Sequence, residues 1–204
     1  MKKTIATILL FLSLSSANEL TTIEKSCNEG NITQCHVLGL KYTLKKHKNY
    51  TKATEYLAIA CHAGKIVACQ QLGDTWAAGG HGIAQDYGAA AKYYTQACDH
   101  NMSYSCLALA GMHDTGKGFK QSYTDALPYY ETACHLKNYN GCNALAMMYM
   151  RGDMGVKQDY AKAVSLLTIA CDAKPKEGMG GTCNKRTLKF AEMMLGQIKK
   201  EATK

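Results

Sequence analysis

The sequence predicts an all-α fold, an array of repeated helical hairpins stapled by disulfides. Two observations predict it. Ten cysteines stand at 27, 35, 61, 69, 98, 106, 134, 142, 171 and 183, as five pairs whose first members are 34, 37, 36 and 37 residues apart. A period of that size marks stacked two-element units. Within each period, small and apolar residues return at spacings of three, four and seven, which describes one face of a helix.

At the N-terminus, Lys2 and Lys3 precede an apolar run from Ile5 to Leu14, and Ser15-Ser16-Ala17 supplies small residues for a cleavage site. Residues 1–17 therefore read as a signal peptide, cut before Asn18. The run is too short to span a bilayer, and no other segment is long enough. No cysteine near the junction could carry a lipid, so no membrane anchor is expected. The protein is expected to be exported, periplasmic or secreted, where cysteines form disulfides. Loss of the leader lowers the formal charge from +8 to +6. That excess suits acidic partners, but without an arginine patch or a nucleic-acid motif no nucleic-acid partner is expected. With 204 residues, 47% of them hydrophobic, the chain can bury a core, which excludes a metal-dependent miniprotein and a disordered chain.

The mature chain, 18–204, reads as a single repeat domain. Its units fall at about 31–66, 67–102, 103–138 and 139–175, with degenerate end helices at about 19–29 and 182–199. Counting back from the first cysteine of a pair gives helix B. Tyr50, Tyr87, Tyr123 and Tyr160 open it, Ala53, Ala90, Ala126 and Ala163 follow, and Ala60, Ala97, Ala133 and Ala170 precede the cysteine. Between the alanines, Tyr56, Tyr93, Tyr129 and Leu166 repeat, as do Leu57, Tyr94, Tyr130 and Leu167. Counting forward from the second cysteine gives helix A. Leu38, Leu72, Leu109 and Leu145 lie three residues on, Gly39, Gly73, Ala110 and Ala146 four on, and Tyr42, Trp76, His113 and Tyr149 seven on. Glycine-rich stretches at 79–82, 116–118 and 152–155 turn the chain between the two helices, while the first unit runs through Lys45-Lys46-His47-Lys48 and should turn more tightly.

Units such as Leu72-Gly73-Asp74-Thr75-Trp76, then Gly82-Ile83-Ala84-Gln85-Asp86-Tyr87 and Ala90-Ala91-Lys92-Tyr93-Tyr94, resemble Sel1-like repeats, relatives of the tetratricopeptide hairpin. With the paired cysteines added, the chain is similar to the Helicobacter cysteine-rich (Hcp) family of exported Sel1-like repeat proteins. The resemblance covers nearly the whole mature chain and implies a right-handed α/α superhelix, a solenoid. It also implies a rival function, because some members are described as penicillin-binding and as slow β-lactamases. The residues supply no mechanism for that reading. No serine has a lysine three residues on, and neither Ser-Asp-Asn, Lys-Thr-Gly nor H-x-H-x-D-H occurs, so no catalytic residue is assigned.

Residues eight apart on one helix would be about 12 Å apart along its axis, beyond the reach of a disulfide. The chain must reverse between paired cysteines, and Gly64, Asn101, Asn138 and Asn140 stand in those gaps. Neighbour pairing then joins Cys27–Cys35, Cys61–Cys69, Cys98–Cys106, Cys134–Cys142 and Cys171–Cys183, stapling each repeat to the next. The last pair encloses a longer turn at 174–181. With no C-x-x-C or C-x-x-C-H present, His36, His62 and His135, each following a cysteine, read as turn residues rather than ligands.

Helix A positions one, five and eight residues past the cysteine fall on one stripe away from the leucines. The candidate binding face comprises His36, Gln70, Asn143 and Asn184 at the first position, Asp74 and Met147 at the second, and Asp114 and Met150 at the third. Such a polar ladder suits an extended peptide backbone. The partner would be a protein segment or cell-wall peptide, peptidoglycan and β-lactams included, bound by a monomer. Met147, Met148, Met150 and Met154 share a register with His113 and could together offer copper soft ligands, but methionine at helical spacing is more often core filler. No metal or cofactor is assigned. Asn31 and Asn101, each followed at the second position by Thr33 or Ser103 and preceded by an acid, resemble the extended N-glycosylation acceptor of some bacteria.

Overall fold

The computed structural model describes residues 19–44, 47–152, 155–172 and 185–203. The expected signal peptide, the turn at 174–181, Met154, Cys183 and Asn184 lie outside the described residues. Among those described, the regular elements are all α-helices. They are α1 (residues 19–28), α2 (Ile32–Thr43), α3 (Tyr50–His62), α4 (Ile66–Ala78), α5 (Tyr87–Asp99), α6 (Ser103–Thr115), α7 (Tyr123–His135), α8 (Tyr139–Arg151), α9 (Tyr160–Asp172) and α10 (Lys185–Glu201). Helices α2, α4, α6 and α8 are the A helices, and α3, α5, α7 and α9 the B helices. Packing groups the chain into two compact units, Met1–Tyr93 and Tyr94–Lys204.

Each B helix starts where a short polar side chain satisfies an orphan amide. Asn49 accepts from the N–H of Lys52, Asp86 from Ala89, Ser122 from Asp125 and Asp159 from Lys162, at 2.9–3.2 Å. These caps sit directly before the repeating tyrosine, and each contributes about 1 kcal/mol. The same four residues donate their own backbone N–H to the A helix of their hairpin: Asn49 to the carbonyl of Tyr42, Asp86 to Trp76, Ser122 to His113 and Asp159 to Tyr149. In three hairpins the preceding glutamine adds a clamp, with Gln85 Nε2 donating to the carbonyl of Ala77, Gln121 to Asp114 and Gln158 to Met150. The first hairpin lacks this clamp and turns over residues 44–49, against 79–86, 116–122 and 152–159 in the others. It is the tighter turn expected.

The core follows the two registers. Leu38, Leu72 and Leu109 are fully buried and Leu145 nearly so, while alanines 53, 60, 90, 97, 126, 133 and 163 have no exposed surface. Alanine at these points lets neighbouring backbones approach. At Gly141, immediately before Cys142, even a Cβ has no room, because it would lie 2.9 Å from that of Ala133 and 3.1 Å from the carbonyl oxygen of Tyr130.

Helix α1 and the B helices α3, α5 and α7 end in one repeated motif. The residue three past each cysteine adopts positive φ: Gly30 at +92°, Gly64 at +88°, Asn101 at +62° and Lys137 at +64°. The next residue donates its N–H back to the residue before the cysteine, as in Asn31 to Ser26, Lys65 to Ala60, Met102 to Ala97 and Asn138 to Ala133. This is the six-to-one bond of a Schellman cap. Asn138, expected to make the reversal, instead sits at the start of α8, and Lys137 takes the left-handed conformation at a cost of about 1 kcal/mol. The reversal brings paired Cα atoms to 4.6–4.8 Å and joins Cys27–Cys35, Cys61–Cys69, Cys98–Cys106 and Cys134–Cys142 between adjacent repeats. Cys171 is also disulfide-bonded.

Replacing Cys134 and Cys142 together by serine should lower the unfolding free energy by about 2.5 kcal/mol, the closure entropy of a nine-residue loop. Urea titration against the oxidised parent, with the parent in reductant as a second reference, measures the loss. Gly141→Ala should destabilise by about 1–3 kcal/mol through the close contact with α7. Gly111→Ala, in α6 with nothing within 4 Å of its added Cβ, should instead gain about 0.5–1 kcal/mol. Thermal melts of the two glycine variants should move in opposite directions.

Candidate binding surface

The A helices of the first unit form a small cavity of about 280 Å³, lined by Leu40 and Thr43 of α2, Tyr50 of α3, and Gln71, Asp74, Thr75 and Ala78 of α4. His36 Nε2 and Gln71 Oε1 bridge α2 and α4 at 2.6 Å. Thr43 and Thr75 turn their hydroxyls onto the carbonyls of Leu40 and Gln71, so these two threonines present their methyl groups rather than donors. The opening thus combines apolar walls with a carboxylate, Asp74, and an imidazole–amide pair. That mixture suits a peptide backbone carrying an apolar side chain.

Three expected positions, Asp74, His36 and Gln70, are placed differently from one another. Asp74 lines the cavity, and His36 meets Gln71 across the repeat. His36 is therefore a helical residue bridging two repeats rather than a turn residue. The partner it meets is Gln71, not Gln70: a one-residue step turns about 100° around a helix, and Gln71 is the glutamine that faces α2. Gln70 is half-buried beside it.

In the second unit, Asn143 and Met150 are half-buried and Met147 is exposed on α8. Asp114 departs from the expected stripe, because its Oδ2 accepts the Tyr130 hydroxyl at 3.1 Å. The carboxylate serves the inside of the α6–α7 hairpin. Tyr130 is 5% exposed, and burial first, then the Asp114 charge, pushes its hydroxyl well above the usual tyrosine range.

Of the methionine set, Met147 and Met148 do not share a direction. Met148 is a core residue, 5% exposed, whereas adjacent Met147 faces solvent, so the two diverge around α8. His113 lies instead between the rings of Phe119 and Tyr129, with centroids at 3.9 Å and 5.5 Å. Among the described residues no three His, Cys, Asp or Glu side chains gather as a metal site, and no helix is long and apolar enough to cross a membrane. Asn31 and Asn101 are both exposed. Asn31 is engaged as the N-cap of α2, accepting from Gln34, and Asn101 holds the positive-φ position. The polar caps Asn49, Asp86, Ser122 and Asp159 each stand directly before a repeating tyrosine and start their helices.

Helical hairpins with the same caps, the same buried alanines and the same inter-repeat disulfide define an α/α repeat scaffold. The Sel1 repeat pattern matches residues 34–65, 66–102, 103–138 and 140–175, and the chain belongs to the Sel1 repeat family. Its fold is similar to a protective antigen of uropathogenic Escherichia coli with an SLR fold, at TM-score 0.70 and 20% identity over 87% of this chain and 40% of that one. It is similar also to a Sel1 repeat protein from Oxalobacter formigenes, at TM-score 0.59 and 25% identity over 68% of this chain and 55% of that one. Helicobacter pylori cysteine-rich protein B aligns at TM-score 0.49 and 27% identity, over 62% of this chain and 96% of that one. The chain spans less than two thirds of the length of the first two. No curated protein matches it.

The Tyr130–Asp114 contact makes stability sensitive to alkali. In the unfolded chain the phenol ionises near its ordinary value of about 10, whereas in the folded chain it stays protonated to higher pH. Its contribution is complete below about pH 10 and is lost as pH rises from there toward the folded value. Tyr130→Phe should cost about 1 kcal/mol at neutral pH and make the alkaline fall shallower. The fall should not vanish, because Tyr56, raised by burial and by its hydrogen bond to Glu24, behaves likewise. Urea midpoints measured from pH 8 to 11 test both statements.

Proposed function

We propose that the protein is an exported interaction scaffold that holds an extended, peptide-like segment of a partner along its A helices. The single observation that carries this reading is the cavity between α2 and α4, where Leu40, Thr43 and Asp74 of the candidate stripe face one opening beside the His36–Gln71 bridge. Repetition supports it, since a hairpin array presents equivalent positions at regular intervals, as an extended chain does. Disulfides at successive junctions support an oxidising compartment and hold the intervals fixed without a partner, which lowers the ordering cost of binding. The partner is a protein segment or a cell-wall peptide.

Affinity capture on the oxidised protein tests the reading. A variant combining Gln70→Ala, Gln71→Ala, Asp74→Ala and Asn143→Ala should retain about tenfold less of whatever the parent captures, since each removed hydrogen bond is worth about 0.5–1.5 kcal/mol. Its circular dichroism should match the parent's. Equal retention by a folded variant would show that the A helices are not the binding face.

A further inference from the structure

The second compact unit carries two larger grooves on its B-helix side, one of about 650 Å³ between the end of α5 and α7, the other of about 510 Å³ between α7 and α9. They are the same place in successive repeats. His113 of α6 lies in the first where Tyr149 of α8 lies in the second, and each is seven residues past its cysteine. What differs is charge. Asp99, Asn101 and Asp125 line the first groove, and at the matching positions His135, Lys137 and Lys162 line the second. Apolar character also rises, with Thr132 replaced in register by the half-exposed Ile169. Glu131 is the one acid among the described residues lining the second groove, where it accepts a long hydrogen bond from Tyr149 while Lys162 lies 4.9 Å from the centre of that ring.

Two of these charges, Asp99 and Lys162, are not placed to stabilise their helices, whereas Asp125 stands in the first turn of α7, where the dipole favours an acid. Asp99 is the last residue of α5 and Lys162 stands in the first turn of α9, each at the helix end whose dipole disfavours its sign. Lys137 holds the left-handed conformation that Gly30, Gly64 and Asn101 hold at the other described junctions. The ion pairs seen among the described residues, Lys25–Glu29, Lys41–Glu19 and Lys52–Glu24, lie outside both grooves.

We propose that the two grooves form one docking surface for an extended partner segment of mixed charge. A basic side chain of that segment enters the acidic groove. A large apolar side chain beside an acidic one enters the basic groove, over Tyr149 and Ile169. Successive hairpins are separated by about one helix diameter, about 10 Å, which an extended chain crosses in about three residues. The segment therefore carries its basic residue three or four positions from the apolar–acidic pair. This surface is separate from the A-helix cavity and does not depend on it.

A fluorescein-labelled peptide, Lys-Ala-Ala-Ala-Phe-Asp, tests the proposal by anisotropy on the oxidised full chain at low salt. The parent should bind it at least about tenfold more tightly than the all-acidic peptide with aspartate in place of lysine, even though the protein as a whole is basic. Lys137→Glu with Lys162→Glu should weaken the mixed peptide about tenfold. Asp99→Lys with Asp125→Lys should weaken the mixed peptide and rescue the all-acidic one. Asp74→Ala should change neither, which separates this surface from the A-helix cavity. No measurable binding of the mixed peptide, equal binding of both peptides by the parent, or no rescue by the charge-reversed acidic groove would each overturn the proposal. Thermal melts of both double variants matching the parent's would show that any change belongs to the grooves and not to the fold.

Discussion

Everything in the repeat hangs on a chain reversal completed between two cysteines. A B helix must end, turn and restart as an A helix before the disulfide closes. The positive-φ residue three past the cysteine and the long back-bond from the next amide accomplish it at each described junction. The reversal fixes the angle at which each A helix meets the helix before it, and that angle dictates which positions must be small. Hence the alanines without exposed surface, and hence Gly141, where the approach to α7 leaves no room for a Cβ. Disulfide, cap and alanine register are one constraint expressed three ways.

The second junction, from helix A to helix B, is held differently. There the backbone amide of the cap residue returns to a carbonyl at the end of helix A, joined in three of the hairpins by the amide group of the preceding glutamine. These bonds satisfy groups that would otherwise be orphaned at a helix terminus. With both junctions closed by backbone chemistry and the core filled by a few conserved shapes of side chain, the outward positions carry little structural duty. They are consequently where the repeats diverge, and the acidic and basic grooves of the second unit are the clearest divergence.

Much of the fold was legible in the sequence because the repeat supplied several aligned copies of one pattern. The cysteine period, the alanine and leucine registers and the need for a reversal inside each cysteine pair all follow from spacing alone. Less legible was anything decided by rotation of less than one helical step. Gln71 rather than Gln70 meets His36, and Asp114 turns inward to Tyr130 although its register points outward, because a buried hydroxyl draws the nearest carboxylate. Propensity alone favours Asn138 over Lys137 at positive φ, but the closing disulfide and back-bond override that preference. The grooves escaped notice because their floor is the aromatic position of helix A, which the pattern assigned wholly to the core.

Because each observed disulfide spans a separation of only eight residues, the cross-links reinforce joints without bridging distant parts of the chain. The two kinds of loop therefore differ in what a backbone cut would do. A cut inside a cysteine-flanked turn leaves both sides covalently attached through sulfur. A cut in a hairpin loop such as 116–122, which no observed cross-link spans, leaves the halves joined by packing alone. Covalent continuity of the molecule after proteolysis thus rests on its glycine-bearing hairpin loops, and the Gln121 and Ser122 bonds that fasten 116–122 to α6 also shield the peptide bonds whose integrity matters most.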